Sequence, residues 1–149
     1  MRTITENRKA FHDFQVLEKF EGGLVLKGHE VKSIKSGRAS IRGSFVRISP
    51  EGEVYLVGST IPPYQPKNTP PEYNPERERK ILLKKSEIKY LIGKSKEKGL
   101  TIIPLRIYTR KGRIKIEFGL AKGIRSVNKK EKIKKREIDR EIRRTLKRY

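Results

Sequence analysis

Residues 100–123, LTIIPLRIYTRKGRIKIEFGLAKG, restrict the fold of this chain more than any other stretch. Ile103, Leu105 and Ile107 alternate with Pro104, Arg106 and Tyr108. Beyond a Lys111–Gly112 turn, Ile114, Ile116, Phe118 and Leu120 alternate with Lys115, Glu117 and Gly119. A period of two on both sides of a two-residue turn predicts an antiparallel hairpin with one buried face. Whatever else the chain forms has to cover that face.

The remaining elements are short. Phe14, Val16, Leu17 and Phe20 predict a strand that Glu21-Gly22-Gly23 breaks. An apolar step at 24–26 leads into a brief helix over Glu30–Ser36, closed by Gly37, with Lys32 and Lys35 on one face and Val31 and Ile34 on another. SFVRI and EVYLV read as two strands joined by the four-residue turn SPEG. Residues 61–75 hold six of the eight prolines and read as a loop of polyproline character. A helix follows over Lys84–Lys98, with Ser86 as N-cap, Ile88, Leu91 and Ile92 on its buried face, and Gly99 as its stop.

About six short strands with few helices predict an oligonucleotide-binding-type antiparallel β-barrel with packed helices and a basic C-terminal tail. The expected division is a body over 1–121 and a tail over 122–149. The tail holds thirteen Lys/Arg against four Asp/Glu. It has helical grammar, because Ile138, Ile142 and Leu146 recur every four residues and Asp139 and Arg143 form an i, i+4 pair. Three apolar residues are too narrow a stripe to hold a helix alone, so the tail is expected to be disordered when free and helical against an anionic surface. A helix from Asn128 to the end would span about 30 Å.

Charge decides what the chain meets. The net charge is +21 over 149 residues, and the body without the tail is itself strongly basic. Self-repulsion on that scale calls for a polyanionic partner. There is no cysteine, which fits a reducing compartment, and no apolar run of membrane-spanning length or signal-peptide pattern. His12 and His29 have no metal-ligand spacing, and no P-loop pattern occurs. Asp13, Glu18, Glu21 and Glu30 lack a nuclease-like spacing and are expected in salt bridges. Tyr64 and Tyr73 have two open readings, stacking on unpaired bases or anchoring the loop. The residues point to a non-enzymatic RNA binder with neither cofactor nor metal rather than a nuclease, and on composition a permanently bound ribosomal protein stays open beside a factor that binds RNA transiently.

Five segments in this order, NRKAFHDF, GLVLKGHEVKSIKSGRASI, GEVYLVGSTIPPY, RKILLKKSEIKYLIGKSKEKGLTIIPLRIYTRKGRIKIEFGLAKG and the basic tail, resemble the small protein B family, which binds transfer-messenger RNA (tmRNA) in bacterial trans-translation. The similarity covers nearly the whole chain. It implies a cytoplasmic protein without enzymatic activity that holds the tRNA-like domain of tmRNA and takes the place of a tRNA anticodon arm. It further implies entry into the stalled 70S ribosome, with alanyl-tRNA synthetase and elongation factor Tu engaged through the RNA and no membrane partner. The tail would then probe the empty decoding centre and messenger channel of the small subunit.

The resemblance also implies site residues. Glu30, Lys32, Ser33 and Lys35 match the family's EVKS segment, Asn7, Arg8 and Lys9 its NRKA, Tyr64 its PY loop and Lys122 its GLAKG exit. These are the expected RNA-binding residues, with Glu30 either accepting from a base or 2′-hydroxyl or orienting a cation. Asn128, Lys129, Lys130, Lys134, Arg136, Ile138 and Ile142 are the expected ribosome-binding residues of the tail. The chain departs from the family where Asn128-Lys129-Lys130 replaces Asp-Lys-Arg and Asn74-Pro75 replaces His-Asp, and Glu76 and Glu78 dilute an arginine-rich stretch.

Overall fold

The computed structural model describes residues 1–123. In chain order these form β1 (Arg2–Glu6), α1 (Arg8–Asp13), β2 (Phe14–Leu24), α2 (Gly28–Lys35), β3 (Phe45–Ile48), β4 (Val54–Val57), β5 (Arg79–Leu82), α3 (Lys85–Ser95), β6 (Leu100–Arg110) and β7 (Arg113–Gly123). The strands make one antiparallel sheet in the order β1-β6-β7-β2-β5-β4-β3. It curls until β3 packs against β6 without pairing with it. The result is an open barrel of the oligonucleotide-binding type with helices packed on it, the expected fold class, built from seven strands rather than about six and with β2, β6 and β7 each 11 residues long.

The β6–β7 hairpin turns at Lys111 and Gly112, both with positive φ (51° and 76°), the conformation that matches the twist of a tight hairpin. Its alternation is not simple. Pro104 pairs with Phe118 and Arg106 with Glu117, so Leu105 is the extra residue of a bulge. The bulge switches faces. Ile107 joins Ile102, Ile114, Ile116, Phe118 and Leu120 in the main core, whereas Ile103 and Leu105 join Ala10, Phe14 and Ala121 in a second cluster under α1. The expectation of one buried face is therefore corrected: the first half of β6 is buried on both sides, which its run of apolar residues at 102–105 allows.

Other expectations shift as well. β2 does not break at Glu21-Gly22-Gly23; it runs through them to Leu24. Those glycines serve close packing, since a Cβ on Gly22 would sit 2.5 Å from Ile81 Cγ2 on β5. Residues 8–13, which carry no helical periodicity, form α1 because Asn7 caps it, accepting the Ala10 N–H at 3.3 Å. α3 starts at Lys85 rather than behind a Ser86 cap, because Glu87 accepts the Lys84 backbone N–H at 3.1 Å. The proline-rich loop is irregular apart from one 3₁₀ turn at Pro66–Asn68, and its ends are joined by Ile61 N–H to Pro75 O at 2.9 Å. α2 and α3 send Ile34 and Leu91, both fully buried, into the main core beside Ile41, Leu56 and Ile61.

Candidate nucleic-acid interface

α2 and the proline-rich loop build the first surface from the inside out. Glu30 stands in the first turn of α2, where a carboxylate suits the helix dipole, and accepts the Lys27 backbone N–H at 2.8 Å. It is fully buried. Oε2 takes Arg79 Nη2 at 2.7 Å, Arg79 Nε at 3.1 Å and Arg77 Nε at 3.0 Å, and Oε1, which holds the Lys27 N–H, also takes Arg77 Nη2. Arg79, equally buried, spends its remaining arm on Ser59, donating to the backbone O and to Oγ at 3.2 Å each. The Tyr73 hydroxyl accepts from Arg79 Nη2 at 2.9 Å and lies 2.7 Å from Ile61 O and 2.9 Å from Glu30 Oε2. His29 closes the cluster with its ring edge-on to Tyr73, centroids 4.4 Å apart.

Burial by itself would raise the Glu30 pKa, but hydrogen bonds from Arg77, the Lys27 N–H and Arg79, together with the Arg79 charge, hold it down to about 2. Burial and the hydrogen bond to Glu30 push the Tyr73 hydroxyl up to about 12. One carboxylate between two guanidiniums leaves the cluster net positive. Arg77 is its outward member, with 27% of its side chain exposed. Two of its N–H groups hold Glu30 and a third holds Glu78 O at 3.1 Å, which leaves part of the fork for a ligand.

Arg77 stands between the exposed Glu76 and Glu78, and Glu78 is ion-paired with Arg47 at 3.0 Å. Lys32 and Lys35 are exposed on α2. Ser33 is buried and donates to Pro62 O at 2.7 Å, which pins the loop to the helix. Arg38 donates to Tyr64 O at 3.3 Å, and its guanidinium lies 6.0 Å from the Tyr64 ring centroid. Glu30, Lys32, Ser33, Lys35 and Tyr64 thus converge on one structure. Within it, Lys32, Lys35, Arg38, Tyr64 and Arg77 form the outer layer, while Glu30, Ser33 and Tyr73 hold that layer in place. Tyr73 anchors the loop.

Asn7, Arg8, Lys9 and Lys122 belong elsewhere. Asn7 is buried, and besides capping α1 it donates from Nδ2 to Pro104 O at 3.0 Å, beside the β6 bulge. Arg8 and Lys9 are exposed on α1, and Lys122 is exposed on β7, opposite Gln15 of β2. α1 packs on the second cluster and α2 on the main core, so the structure divides the expected residues between two surfaces. Asn128, Lys129, Lys130, Lys134, Arg136, Ile138 and Ile142 lie outside the described residues.

One surface escaped the sequence reading. Leu82, Gly23, Lys115 and Tyr108 follow one another in register across β5, β2, β7 and β6, Glu21, Glu117 and Arg106 form the neighbouring row, and Tyr108 itself is buried. Leu82 is 54% exposed there and Val25, at the end of β2, 46%. Tyr108 donates to Glu21, Arg110 Nη1 reaches Glu21 at 2.8 Å, and the guanidiniums of Arg106 and Arg110 lie 5.1 and 5.5 Å from the Tyr108 ring. This is an apolar spot rimmed by fixed charges. No local signal gives it away, because its members come from four strands. Of the four acidic residues weighed as a nuclease set, Glu21 and Glu30 are ion-paired and Glu18 takes the Tyr90 hydroxyl at 2.6 Å.

The family model described as "SmpB protein" matches residues 4–148. The chain is 49% identical to the SsrA-binding protein of Syntrophobacter fumaroxidans, covering 99% of this chain and 90% of that one. It is 47% identical to the SsrA-binding protein of Thermosipho africanus, with 99% of each covered. Its fold is similar to a solved chain described as "tmRNA-SmpB: a journey to the center of the bacterial ribosome", with a TM-score of 0.66, 44% identity, and 86% of this chain and 92% of that chain covered. With a family model and near-full-length relatives in agreement, the chain belongs to the SmpB protein family.

Proposed function

We infer that this chain binds tmRNA, also called SsrA RNA, and serves trans-translation on stalled ribosomes as a non-enzymatic RNA-binding protein. Arg77 carries the reading. A buried carboxylate holds its guanidinium at the surface with N–H groups to spare, a geometry suited to a phosphate. Lys32 and Lys35 add point charges on the same surface, and Tyr64 adds a π-face under Arg38. The exposed spot around Leu82 and Lys115 offers a second contact for a folded RNA, whose shape rather than sequence is recognised.

In this reading the barrel holds the tRNA-like domain, protein and RNA together take the outline of a tRNA, and the protein stands where the anticodon arm would be. Lys122 and Gly123 end β7, so the tail that follows into the vacant decoding centre and messenger channel is residues 124–149. Its twelve cations against four anions suit ribosomal RNA, and Ile138, Ile142 and Leu146 give one face for an induced helix. The ribosome is met directly by the tail, whereas alanyl-tRNA synthetase and elongation factor Tu are reached through the RNA. Sequencing the RNA that co-purifies with the tagged full-length chain from a bacterial host tests the reading. Enrichment of tmRNA over tRNA and ribosomal RNA is expected, and its absence would overturn the assignment.

A further inference from the structure

The seam of the barrel offers a site that the tRNA-like-domain reading does not use. Among the described strands β3 pairs only with β4, and the Leu100–Pro104 half of β6 pairs only with β7. Between these two edges lies a cavity of about 280 Å³, walled by Phe45, Arg47 and Ile48 of β3, Thr101 and Ile102 of β6, and Ser95 at the end of α3. Thr101 is 2% exposed, and its Oγ1 is buried without a hydrogen-bond partner. A buried hydroxyl in that state destabilises the fold, and valine has the same shape without the penalty. Ser95 Oγ donates to Ile92 O at 2.9 Å and keeps its lone pairs for another donor. Lys96 and Lys98 are exposed in the turn between Ser95 and β6.

We propose that this seam is a nucleobase pocket, in which one unpaired base of a bound RNA slides between β3 and β6 and hydrogen-bonds to Thr101 Oγ1. The proposal rests on the RNA-binding reading. The space falls just below the range of about 300–1,000 Å³ typical of drug-sized ligand pockets, so it admits a single base rather than a helix. It also far exceeds the roughly 10–15 Å³ of such space that one water molecule needs. The walls mix apolar side chains, Phe45, Ile48 and Ile102, with Arg47 and the hydroxyl residues Ser95 and Thr101, so a flat ring gains both contact area and polar partners. A hydroxyl both donates and accepts, so the pocket takes any base with little preference. Lys96 and Lys98 lie in the turn that joins the wall residue Ser95 to β6, and the carboxylate between them, Glu97, is ion-paired with Lys94 at 3.1 Å, so the turn keeps two cations for an attached phosphate. A basic rim favours a nucleotide over an apolar peptide, which would gain nothing from the lysines.

Titration of the isotope-labelled full-length chain with adenosine 5′-monophosphate and uridine 5′-monophosphate, followed by NMR, tests this. Both nucleotides are expected to shift Thr101, Ile102 and Ile48 with similar affinities. Thr101→Val should weaken both by about tenfold while leaving the urea midpoint unchanged or higher, because the lost hydroxyl has no protein partner. Lys96→Gln with Lys98→Gln should weaken the nucleotides but not adenosine. Equal nucleotide affinities in the parent and Thr101→Val, or no shift at the seam, would overturn the pocket, as would displacement of the nucleotide by an uncharged valine-rich peptide. Binding of the tmRNA tRNA-like domain is measured on the same samples. If it persists with no seam shift, the pocket alone fails; if it is absent, the RNA-binding reading fails with it.

Discussion

Glu30 and Arg79 lie 49 residues apart in the chain, are both fully buried, and meet at 2.7 Å. The pair fixes α2 to β5, and through Arg77 it fixes the cation offered to RNA. Removing one partner of a buried ion pair leaves the other uncompensated in a poor solvent for charge. Glu30→Gln keeps the shape and strands Arg79, so its urea unfolding should show a loss of about 3–5 kcal/mol. Tyr73→Phe removes only a hydroxyl and should lose about 1 kcal/mol. A smaller loss for Glu30→Gln than for Tyr73→Phe would contradict the arrangement.

The same cluster sets a pH dependence. The Glu30 pKa is about 2 in the folded chain against an ordinary 4.5, so between these values the unfolded chain binds the extra proton. Its stabilisation is complete above pH 4.5 and disappears as pH falls towards 2. Tyr73 runs the other way: its proton is held up to about pH 12 against an ordinary 10, so its stabilisation is complete below pH 10 and fades as pH rises towards 12. Urea midpoints at pH 5 and pH 3 should fall more steeply for the parent than for Glu30→Gln. Parallel curves would remove Glu30 from the account.

Gly119 of β7 sits where a Cβ would meet Val16 Cγ1 at 2.8 Å and Glu18 O at 3.1 Å. The backbone oxygen cannot move aside without disturbing the β2–β7 ladder. Gly119→Ala should therefore destabilise by about 1–3 kcal/mol in thermal or urea unfolding, the usual range for overpacking. Gly112→Ala introduces no contact and strains only the turn, where Gly112 has φ 76°, so it should cost less, about 1 kcal/mol.

On the outer surface, Lys32→Ala and Lys35→Ala change no packing. Each should weaken binding of the tRNA-like domain by a similar factor across related RNAs and reduce the slope of log affinity against log salt by about one contact. Filter binding at several salt concentrations checks this. An unchanged slope would place both lysines outside the interface.

How far the sequence disclosed this depended on range. The hairpin turn at Lys111–Gly112 and the outward Lys32 and Lys35 were legible because turn chemistry and helical spacing are local. The face switch at Leu105 was not, because four consecutive apolar residues at 102–105 carry no period. α1 was missed because six residues burying only Ala10 leave no repeat to detect. The Glu30 cluster was hidden for another reason: its partners are 43 to 49 positions away, beyond a proline-rich loop. Sequence placed Glu30 in the RNA-binding segment, and only the fold shows that its carboxylate faces inward.

The division of labour between barrel and tail is tested most directly by deleting Asn128 to Tyr149. Affinity for the tRNA-like domain and peptide-tag addition on non-stop ribosomes are then measured for the parent, the truncation and the double variant Ile138→Pro, Ile142→Pro. All the described core residues precede the deletion, so the truncated chain should fold and bind the RNA with at most a modest electrostatic loss. Tagging should collapse in the truncation and in the proline variant, which keeps every charge but blocks a helix. Loss of RNA binding together with the tail, or normal tagging by the proline variant, would contradict the account.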